Sequence, residues 1–422
     1  MSEQKSIAID YKSTNFFKPL KLSDNITLQH RGALSPLTRI RADDKHVYNL
    51  STDYTETEEW KKYIADSANK TGNVKRGLSV EYYHQRSQRP GTLIFTEGTF
   101  PYAQAGGWSN VPGVYNDEQS DALKKIVDAV HANGSFIFVQ FWNLGRVADP
   151  EVLQKEGLKY VSSSDKYIVN GDMFETKKKA LRSGNVLNSL TLDEIEQVKE
   201  DYLTAAKYSF KAGADGIELH AAGGALLNQF FDKVVNVRTD HYGNQSFESR
   251  SRLFFEVFDL LVAKFGADKV GTKFSAFSDY NDMSNYSNIE DTYAFYTYVI
   301  KKLEAKRIEG KGPVYIALQE PRLDESFASE FQFKSQKISN DFIWKIYKGV
   351  IVVQGNLLHD SQYAKKLIEN NDKVIFGFGR YFISNPDLID RLEKNLPLAD
   401  YDRSTFYGGD FRGYVDYPYF KK

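Results

Sequence analysis

The sequence predicts an α/β protein, and within that class a (β/α)8 TIM barrel formed by one domain over residues 1–422. Eight short runs of β-branched or aromatic residues, bounded by Gly, Pro or charged residues, recur along the chain. The runs are continuously apolar, which is typical of parallel strands buried on both faces. Helical patterns separate most of them, and eight such units close most simply into a barrel, a fold that reaches this length as one domain.

The predicted strands end at recognisable breaks, and two of the predicted helices have clear termini. Residues 117–134 begin on acidic residues and end at a glycine, while residues 191–213 open with Thr191 as N-cap and Glu194 three residues later, which is a capping box. The main alternative is a doubly wound open sheet, which needs a Gly-rich first turn. Here the GFGR motif of residues 377–380 follows the last strand instead, so the barrel is favoured. The eight predicted strands are 32–37, 92–98, 135–142, 216–220, 269–275, 313–319, 349–355 and 373–379.

Two segments fall outside the repeating pattern. FFKPLKL and ITLQHR flank the turn residues SDN and predict an N-terminal β-hairpin that caps the bottom of the barrel. Residues 43–76 are polar and poor in Gly and Pro, with no strand pattern, and predict an insertion in the first βα loop on the active-site side. We expect that charged run to be a solvated loop, and a lid or partner surface only secondarily.

Composition narrows the functional classes. The chain carries 55 Lys and Arg against 56 Asp and Glu, so no net field favours nucleic acid or an anionic membrane. It has no cysteine, which excludes disulfides, thiolate nucleophiles and cysteine-based metal centres, and we expect no metal site. Neither a signal pattern nor an apolar run of membrane-spanning length is present. We therefore expect a soluble cytoplasmic protein with a small-molecule substrate; the sequence does not decide between a monomer and a homodimer.

Residues with chemical potential collect at the carboxyl ends of the predicted strands, where barrel enzymes carry their active sites. Glycines and an arginine after strands seven and eight suit a phosphate, because backbone N–H groups must approach the anion closely. A hydroxyl, an amide and a cation at other strand ends suit a planar heterocycle with several carbonyls and ring nitrogens. Taken singly, a strand-end histidine is more often structural and a lone glycine more often a turn residue. The set comprises Thr38, Gln140, Trp142, His220, Lys273, Gly355, Asn356, Gly377, Gly379 and Arg380.

Dispersed motifs in a fixed order give these positions a context. PLTRIRA, FVQFW, GADGIELH, LLNQF, RTDHYGN, VGTKFS, QGN and FGFGRYFISNPDL resemble the motifs of the old yellow enzyme family, in its yeast-type flavin-dependent ene-reductases. The resemblance covers nearly the whole chain apart from residues 43–76. It implies a barrel that binds flavin mononucleotide (FMN) and an NADPH dehydrogenase or ene-reductase activity, with NADPH as the reductant.

The resemblance also implies roles for individual residues. Thr38 would hydrogen-bond the flavin C4 carbonyl, Gln140 the pyrimidine edge, and Lys273 would lie by the N1/C2 carbonyl region. His220 would bind the substrate carbonyl oxygen as the catalytic residue. The phosphate would be surrounded by Gly355, Asn356, Gly377, Gly379 and Arg380, and the substrate cavity would be lined by Trp142, Phe327 and Tyr407.

The chain departs from the family pattern where catalysis would be affected most. Three residues after the histidine, where the family has Asn or His, stands Gly223, and two residues further, in place of the proton-donating tyrosine, stands Ala225. Lys273 replaces an arginine beneath the flavin. Three hypotheses follow: an FMN-dependent NAD(P)H oxidoreductase with altered ene-reduction, a flavin enzyme with redirected, isomerase-like chemistry, and a non-catalytic flavin- or ligand-binding homologue.

Overall fold

Eight parallel strands close into a barrel in which neighbours in sequence are neighbours in space. This computed structural model describes residues 9–65, 75–170, 175–321, 338–355, 357–358 and 361–421. Every ladder of the barrel is parallel, including the one that joins the last strand to the first. The predicted (β/α)8 fold is therefore confirmed. The strands are β1 Gly32–Leu34, β2 Leu93–Phe95, β3 Phe136–Phe141, β4 Gly216–Ala221, β5 Val270–Phe274, β6 Tyr315–Gln319, β7 Val350–Gln354 and β8 Val374–Phe378.

Helices follow the strands and cover the outside of the barrel. The capping box that begins α3 is present: the Thr191 hydroxyl accepts from the Glu194 N–H at 3.2 Å, and the Glu194 carboxylate accepts from the Thr191 N–H at 2.8 Å. The barrel helices are α1 Leu78–Arg86, α2 Asp117–Ala132, α3 Leu192–Lys211, α4 Phe247–Phe265, α5 Ile289–Ile308, α6 Asp341–Ile346, α7 Ser361–Asn370 and α8 Leu388–Lys394. Shorter helices at Glu58–Ala65, Pro150–Lys155, Thr176–Ser183, Leu226–Phe231 and Arg380–Ser384 lie in the loops. None of the helices in these described ranges is long and apolar enough to cross a bilayer.

The predicted hairpin closes the amino-terminal end of the barrel. Leu20–Lys21 pairs antiparallel with Thr27–Leu28. The buried side chains of Leu20, Ile26 and Leu28 join one apolar cluster with the barrel interior, including Phe95 and Tyr315. Apolar burial of this kind contributes roughly 25 cal/mol per Å² removed from water, so the hairpin is held by contact with the interior rather than by its short ladder.

The described part of the insertion exposes its charged side chains, as expected of a solvated loop, but buries aromatic ones against the carboxyl-terminal segment. Its helix Glu58–Ala65 buries Trp60, whose ring lies 4.8 Å from the ring of Tyr54, centre to centre. Both rings contact Phe411 near the carboxyl end of the chain, at 6.3 and 6.1 Å. The segment lies between β1 and α1, as predicted; its residues 66–74 fall outside the described part.

The carboxyl-terminal segment crosses back over the loop that follows β1. Tyr414 is buried and stacks on Tyr82 of α1, with ring centres 4.2 Å apart and planes 4° from parallel. The guanidinium groups of Arg39, Arg41 and Arg86 lie over these two rings at 3.9–5.1 Å. We call these five residues the arginine–tyrosine cluster. Cations over aromatic rings attract electrostatically, so the cluster ties the end of the chain to the first loop of the active-site face.

Candidate active site

The barrel interior is polar near the carboxyl ends of the strands and apolar near their amino ends. Side chains alternate between the two faces of a strand, so Gln140 points the same way as Phe138 of the interior cluster. In the register, Gln140 lies opposite Glu218, and His220 lies opposite Lys273. Three of the predicted site residues, Gln140, His220 and Lys273, are therefore brought together at the carboxyl ends of β3, β4 and β5.

A buried glutamate, which the sequence reasoning missed, organises this layer. Glu218 is fully buried and accepts a hydrogen bond from the Gln140 side-chain amide at 2.6 Å. Burial raises the pKa of Glu218, while the positive charge of Lys273 and the hydrogen bond from Gln140 oppose that rise. A sequence signal existed, because Glu218 precedes His220 by two residues and so shares its face of β4.

His220 lies at the mouth of the barrel with an unsatisfied ring nitrogen. Its Nδ1 is buried and has no hydrogen-bond partner among the described residues. Burial, assisted by the positive charge of Lys273, lowers the pKa of His220 well below its ordinary value. The ring is therefore neutral at neutral pH, and a neutral imidazole offers one N–H donor and one acceptor. Lys273 itself is only 8% exposed.

Thr38 lies in the loop after β1, and the next residue, Arg39, anchors that loop. The Arg39 N–H donates to the buried carboxylate of Glu97 at 2.9 Å, and its guanidinium donates to the backbone carbonyls of Phe406 and Gly413 at 2.9 and 2.8 Å. Thr38 itself is partly exposed. Its position at the strand end is thus fixed by the arginine–tyrosine cluster and not by its own contacts alone.

Of the three aromatic residues predicted to line the substrate cavity, two lie in the described part of the chain. Trp142 lies 6.4 Å from His220, ring centre to ring centre, and packs edge-on against Trp108 at 5.2 Å. Tyr407 is 49% exposed, but the adjacent Gly408 N–H donates to the Arg39 carbonyl at 2.8 Å, which places it at the rim near Thr38. Phe327 lies outside the described residues.

The glycines at the carboxyl ends of β7 and β8 lie where added side chains would collide with neighbours. A Cβ at Gly377 would lie 2.7 Å from the Ser35 Oγ, and one at Gly379 would lie 3.2 Å from Leu37. A Cβ at Gly355 would meet Glu320 at 2.9 Å. Packing against these neighbours therefore requires glycine at the three positions, and the contact of their backbone N–H groups with a phosphate stays a prediction.

Arg380 follows directly and remains partly exposed, with its Nη1 donating to the Tyr401 hydroxyl at 3.5 Å. A guanidinium at this place is suited to charge-assisted, bidentate contact with a phosphate. Asn356, the other residue assigned to the phosphate, lies outside the described residues.

The residues present fit a flavin. Buried polar atoms without partners among the described residues lie at the upper end of the barrel interior: the Ser35 Oγ and Gln354 Nε2, both packed against the Gly377 position, and the His220 Nδ1. Such orphaned atoms cost free energy unless a bound group or water satisfies them. A planar ring bearing carbonyls and nitrogens, with a phosphate on a flexible chain, would pair with this set and with the Gly379–Arg380 corner.

The departures at Gly223 and Ala225 form a tight turn directly after β4. Gly223 and Gly224 have φ of 59° and 79°, a backbone conformation that side-chain-bearing residues seldom adopt. The Gly223 N–H donates to the Ser275 hydroxyl at 2.9 Å. A Cβ at Gly223 would have Tyr280 Cδ1, at 4.0 Å, as its nearest described neighbour. The space left by the missing side chain is thus open and bordered by a tyrosine that sequence reasoning did not single out.

Comparisons with known proteins agree over nearly the entire chain. Residues 62–399 match the model of the NADH:flavin oxidoreductase / NADH oxidase family. The chain is 41% identical over 409 residues to Enoate reductase 1 of Kluyveromyces lactis, covering 97% of this chain and 95% of that protein. It is 37% identical over 409 residues to a probable NADPH dehydrogenase of Candida albicans, covering 96% and 91%.

Solved structures give the same result. Old Yellow Enzyme from a Pichia species superposes with a TM-score of 0.83 at 35% identity, over 97% of this chain and 95% of that one. Morphinone reductase superposes with a TM-score of 0.75 at 30% identity, over 98% of both chains. The chain therefore belongs to the NADH:flavin oxidoreductase / NADH oxidase family, the family of Old Yellow Enzyme, and is an FMN-dependent oxidoreductase.

Proposed function

We propose that the protein takes hydride from NADPH and passes it, by way of bound FMN, to an activated alkene, with ene-reduction altered by Gly223 and Ala225. The observation that supports this most directly is the polar layer in which Gln140, His220 and Lys273 meet above an apolar barrel floor. The relatives named enoate reductase and NADPH dehydrogenase support the two half-reactions. FMN, when bound, would supply a carrier that accepts and donates a pair of electrons with a proton as hydride.

The residues that would hold the flavin ring differ in how firmly the fold fixes them. Gln140 is already held by Glu218, and Lys273 is buried beside the same carboxylate, so neither needs to reorganise strongly on binding. Lys273 provides a positive charge without the planar fork of an arginine, so its contact with the ring edge is less directional. Thr38 would complete the ring contacts. The phosphate would be held by Gly355, Asn356, Gly377, Gly379 and Arg380.

The substrate side is served by fewer groups than the cofactor side. A neutral His220 can donate one hydrogen bond to a carbonyl oxygen on which negative charge develops during reduction. Gly223 offers no side-chain donor beside it, and loss of one such donor typically costs about 10²–10³ in rate. Ala225, which is buried at the start of helix Leu226–Phe231, offers no proton either. We therefore propose that flavin reduction is the faster half-reaction and that the pocket accepts bulky substrates.

Two half-reactions, measured separately, test the proposal. The purified protein should be yellow, NADPH should bleach the flavin in an anaerobic stopped-flow experiment, and 2-cyclohexenone should restore the colour more slowly than a quinone does. A protein that binds FMN, yet is not reduced by NADPH or NADH, would be a flavin- or ligand-binding homologue instead. A reduced flavin that isomerises an enone without net reoxidation would indicate the isomerase-like alternative.

Gly223→Asn examines the missing donor without disturbing the cofactor. The φ of 59° is one that Asn tolerates better than most residues, and no described atom lies closer than 4.0 Å to the added Cβ. The variant should accelerate the enone half-reaction and leave the NADPH half-reaction unchanged. Gly184→Asn is the matched control, because Gly184 has a similar φ of 76° with no described atom within 4 Å of the added Cβ, but lies at the exposed end of helix Thr176–Ser183. Equal effects of the two variants would contradict the assignment of the missing donor to Gly223.

Arg380→Ala tests the cofactor side. Removal of a charge-assisted contact, worth roughly 1.5–3 kcal/mol, should raise the dissociation constant of FMN by about ten- to a hundredfold. Dialysis followed by fluorescence titration of released flavin measures the change. Arg182→Ala removes an exposed arginine paired with Glu151 and should leave FMN retention intact. If both variants retain FMN equally, the phosphate is bound elsewhere.

A further inference from the structure

The loop after β5 brings a tyrosine to the space that Gly223 leaves open. We propose that Tyr280 lines the substrate pocket and supplies the proton that the residue at Ala225 cannot give. This inference rests on the proposed reduction of activated alkenes. Its first support is the contact already described: the Tyr280 ring is the nearest described neighbour of the missing Gly223 side chain, at 4.0 Å from its Cβ position.

The loop and the glycine turn are fitted to one another by direct contacts. The Asn281 side-chain amide donates to the Gly223 carbonyl at 2.8 Å, and the Gly223 N–H donates to the Ser275 hydroxyl at 2.9 Å. A Cβ at Gly224 would come within 2.7 Å of the Asn281 Cβ, so only glycine permits this approach. The turn after His220 and the loop carrying Tyr280 therefore form one joined rim.

A buried arginine holds the backbone of the loop that carries Tyr280. The Arg146 guanidinium donates to the backbone carbonyls of Asn281 and Asp282 at 2.8 Å each. Both of these residues have φ of 59°, a left-handed conformation that Asn and Asp adopt more readily than other side-chain-bearing residues. The Asp282 carboxylate accepts from the Val169 N–H at 3.1 Å. The backbone that follows Tyr280 is therefore held in place by contacts from outside its own loop.

Strand register puts this rim beside the reactive centre. Ser275 follows β5 directly, two residues after Lys273, and Lys273 lies opposite His220. The open space at Gly223 thus lies three residues beyond His220 along the chain and is bordered by Tyr280 across the turn. Ala225 is buried at the N-cap of helix Leu226–Phe231 and faces away from solvent. A phenol brought in from β5 would take the role that a side chain from the β4 loop cannot.

The Tyr280 hydroxyl would act in the second of two bond-forming steps. Reduced FMN, held by Thr38, Gln140 and Lys273, would supply the hydride that forms a C–H bond at the β-carbon as the alkene π bond breaks. The electron pair moves to the carbonyl oxygen, where His220 donates a hydrogen bond. The Tyr280 hydroxyl then gives its proton to the α-carbon, and the tyrosinate takes a proton from water, which reaches it because the residue is partly exposed. A positioned acid of this kind contributes about 10²–10⁴ in rate.

Tyr280→Phe removes the proton and keeps the ring. In anaerobic stopped-flow experiments we expect the enone half-reaction to slow by at least about tenfold, since water recovers part of a general-acid contribution of about 10²–10⁴. The NADPH half-reaction and reoxidation by a quinone should stay unchanged, because neither needs a proton delivered to carbon. Tyr286→Phe is the matched control: it lies in the same loop, with its N–H bonded to Asp279 at 2.7 Å, and should leave both half-reactions intact.

Chemical modification provides a readout that does not depend on turnover. The chain has no cysteine, so tetranitromethane acts on tyrosines without competition from thiols. Peptide mass spectrometry measures nitration of each tyrosine in the oxidised, FMN-loaded protein. Saturating 2-cyclohexenone should slow nitration of Tyr280 and leave nitration of Tyr208, on the outer helix α3, unchanged. Equal nitration of Tyr280 with and without the enone would remove this residue from the pocket and overturn the proposal.

The remaining outcomes separate this inference from the proposed function. A Tyr280→Phe variant with an unchanged enone half-reaction overturns the role of Tyr280 while the flavin reductase activity stands. A wild-type protein that NADPH reduces but that transfers nothing to any cyclic enone overturns the inference and leaves the NADPH dehydrogenase assignment in place. A protein that NADPH cannot reduce defeats the proposed function, which the nitration experiment does not require.

Discussion

Individual ionisable residues in this barrel are controlled chiefly by burial. Burial raises the pKa of Glu97 to about 7, against the pull of the neighbouring Arg39, and lowers the pKa of His30 to about 3. In both cases the neutral form is favoured, because an isolated charge in the interior is costly. His220 follows the same rule, with Lys273 as the second cause. The site histidine is therefore neutral because it is buried, as other ionisable residues of the interior are.

His30 makes the stability of the folded protein depend on pH. Its Nδ1 accepts from the Gly32 N–H at 3.2 Å, and its Nε2 pairs with the Thr92 hydroxyl at 2.9 Å, an arrangement that requires the neutral ring. The folded pKa lies below the unfolded value of 6.5, so the unfolded chain takes up a proton first on acidification. The contribution of His30 is therefore full above about pH 6.5 and declines by roughly 1.4 kcal/mol per pH unit below it.

Urea unfolding at pH 7, 6 and 5 checks this against His30→Gln, which cannot titrate. The wild type should lose stability relative to that variant as the pH falls. His131 is the contrasting control, because its hydrogen bond to Asp215 raises its pKa, and its contribution is present below about pH 6.5 and lost as the pH rises. A constant difference between the wild type and His30→Gln across this range would show that His30 does not enter the folded state neutral.

At the scale of elements, local sequence patterns were sufficient to predict the strands and helices, whereas contacts between loops distant in sequence could not be predicted. The strands were predictable because continuous apolar runs and their flanking breaks are local signals. The start of α3 was also predictable from a local signal, the capping box formed by Thr191 and Glu194. Glu218 and Tyr280 were missed for different reasons. Glu218 has a local signal, its period-two relation to His220, whereas the contact between Tyr280 and Gly223 joins loops 57 residues apart in sequence. The predicted roles of all the site residues, in cofactor binding, substrate binding and catalysis, stay predictions.

The α3 cap provides a test of how far such a local signal stabilises the fold. Thr191→Ala removes the acceptor for the Glu194 N–H and should cost about 1 kcal/mol of unfolding free energy. Thr191→Ser keeps the hydroxyl and should cost much less. Thermal or urea unfolding of the two variants measures the difference. If Ala and Ser are equally harmful, the threonine methyl group, and not the cap, carries the stabilisation.

For the whole molecule, the carboxyl-terminal segment is part of the barrel's active-site face. The arginine–tyrosine cluster connects α1, the loop after β1 and Tyr414 through stacked rings and cations. Arg86 also donates to the Tyr414 carbonyl at 3.0 Å and to that of Phe382 at 3.0 Å, which links the loop after β8 to the same point. The two halves of the predicted flavin contacts, Thr38 and Arg380, are therefore positioned from one shared cluster.

Tyr414 allows ring and hydroxyl contributions to be separated. Its ring is buried and stacked, so Tyr414→Ala should destabilise the protein by about 3–5 kcal/mol and weaken FMN retention by loosening the Thr38 loop. Its hydroxyl is buried without a hydrogen-bond partner among the described residues, so Tyr414→Phe should be neutral or stabilising. Melting temperatures and flavin release measure both. A strongly destabilised Phe variant would reveal a partner for the hydroxyl.

The hairpin of residues 20–28 packs its leucine and isoleucine side chains against the amino-terminal end of the barrel, so the polar layer of the described barrel is approached from the opposite end, at the carboxyl ends of the strands. In the proposed reaction, NADPH and the acceptor would therefore reach the flavin through the same entrance and would exclude one another. Excess of either reactant should consequently slow turnover by crowding the same entrance.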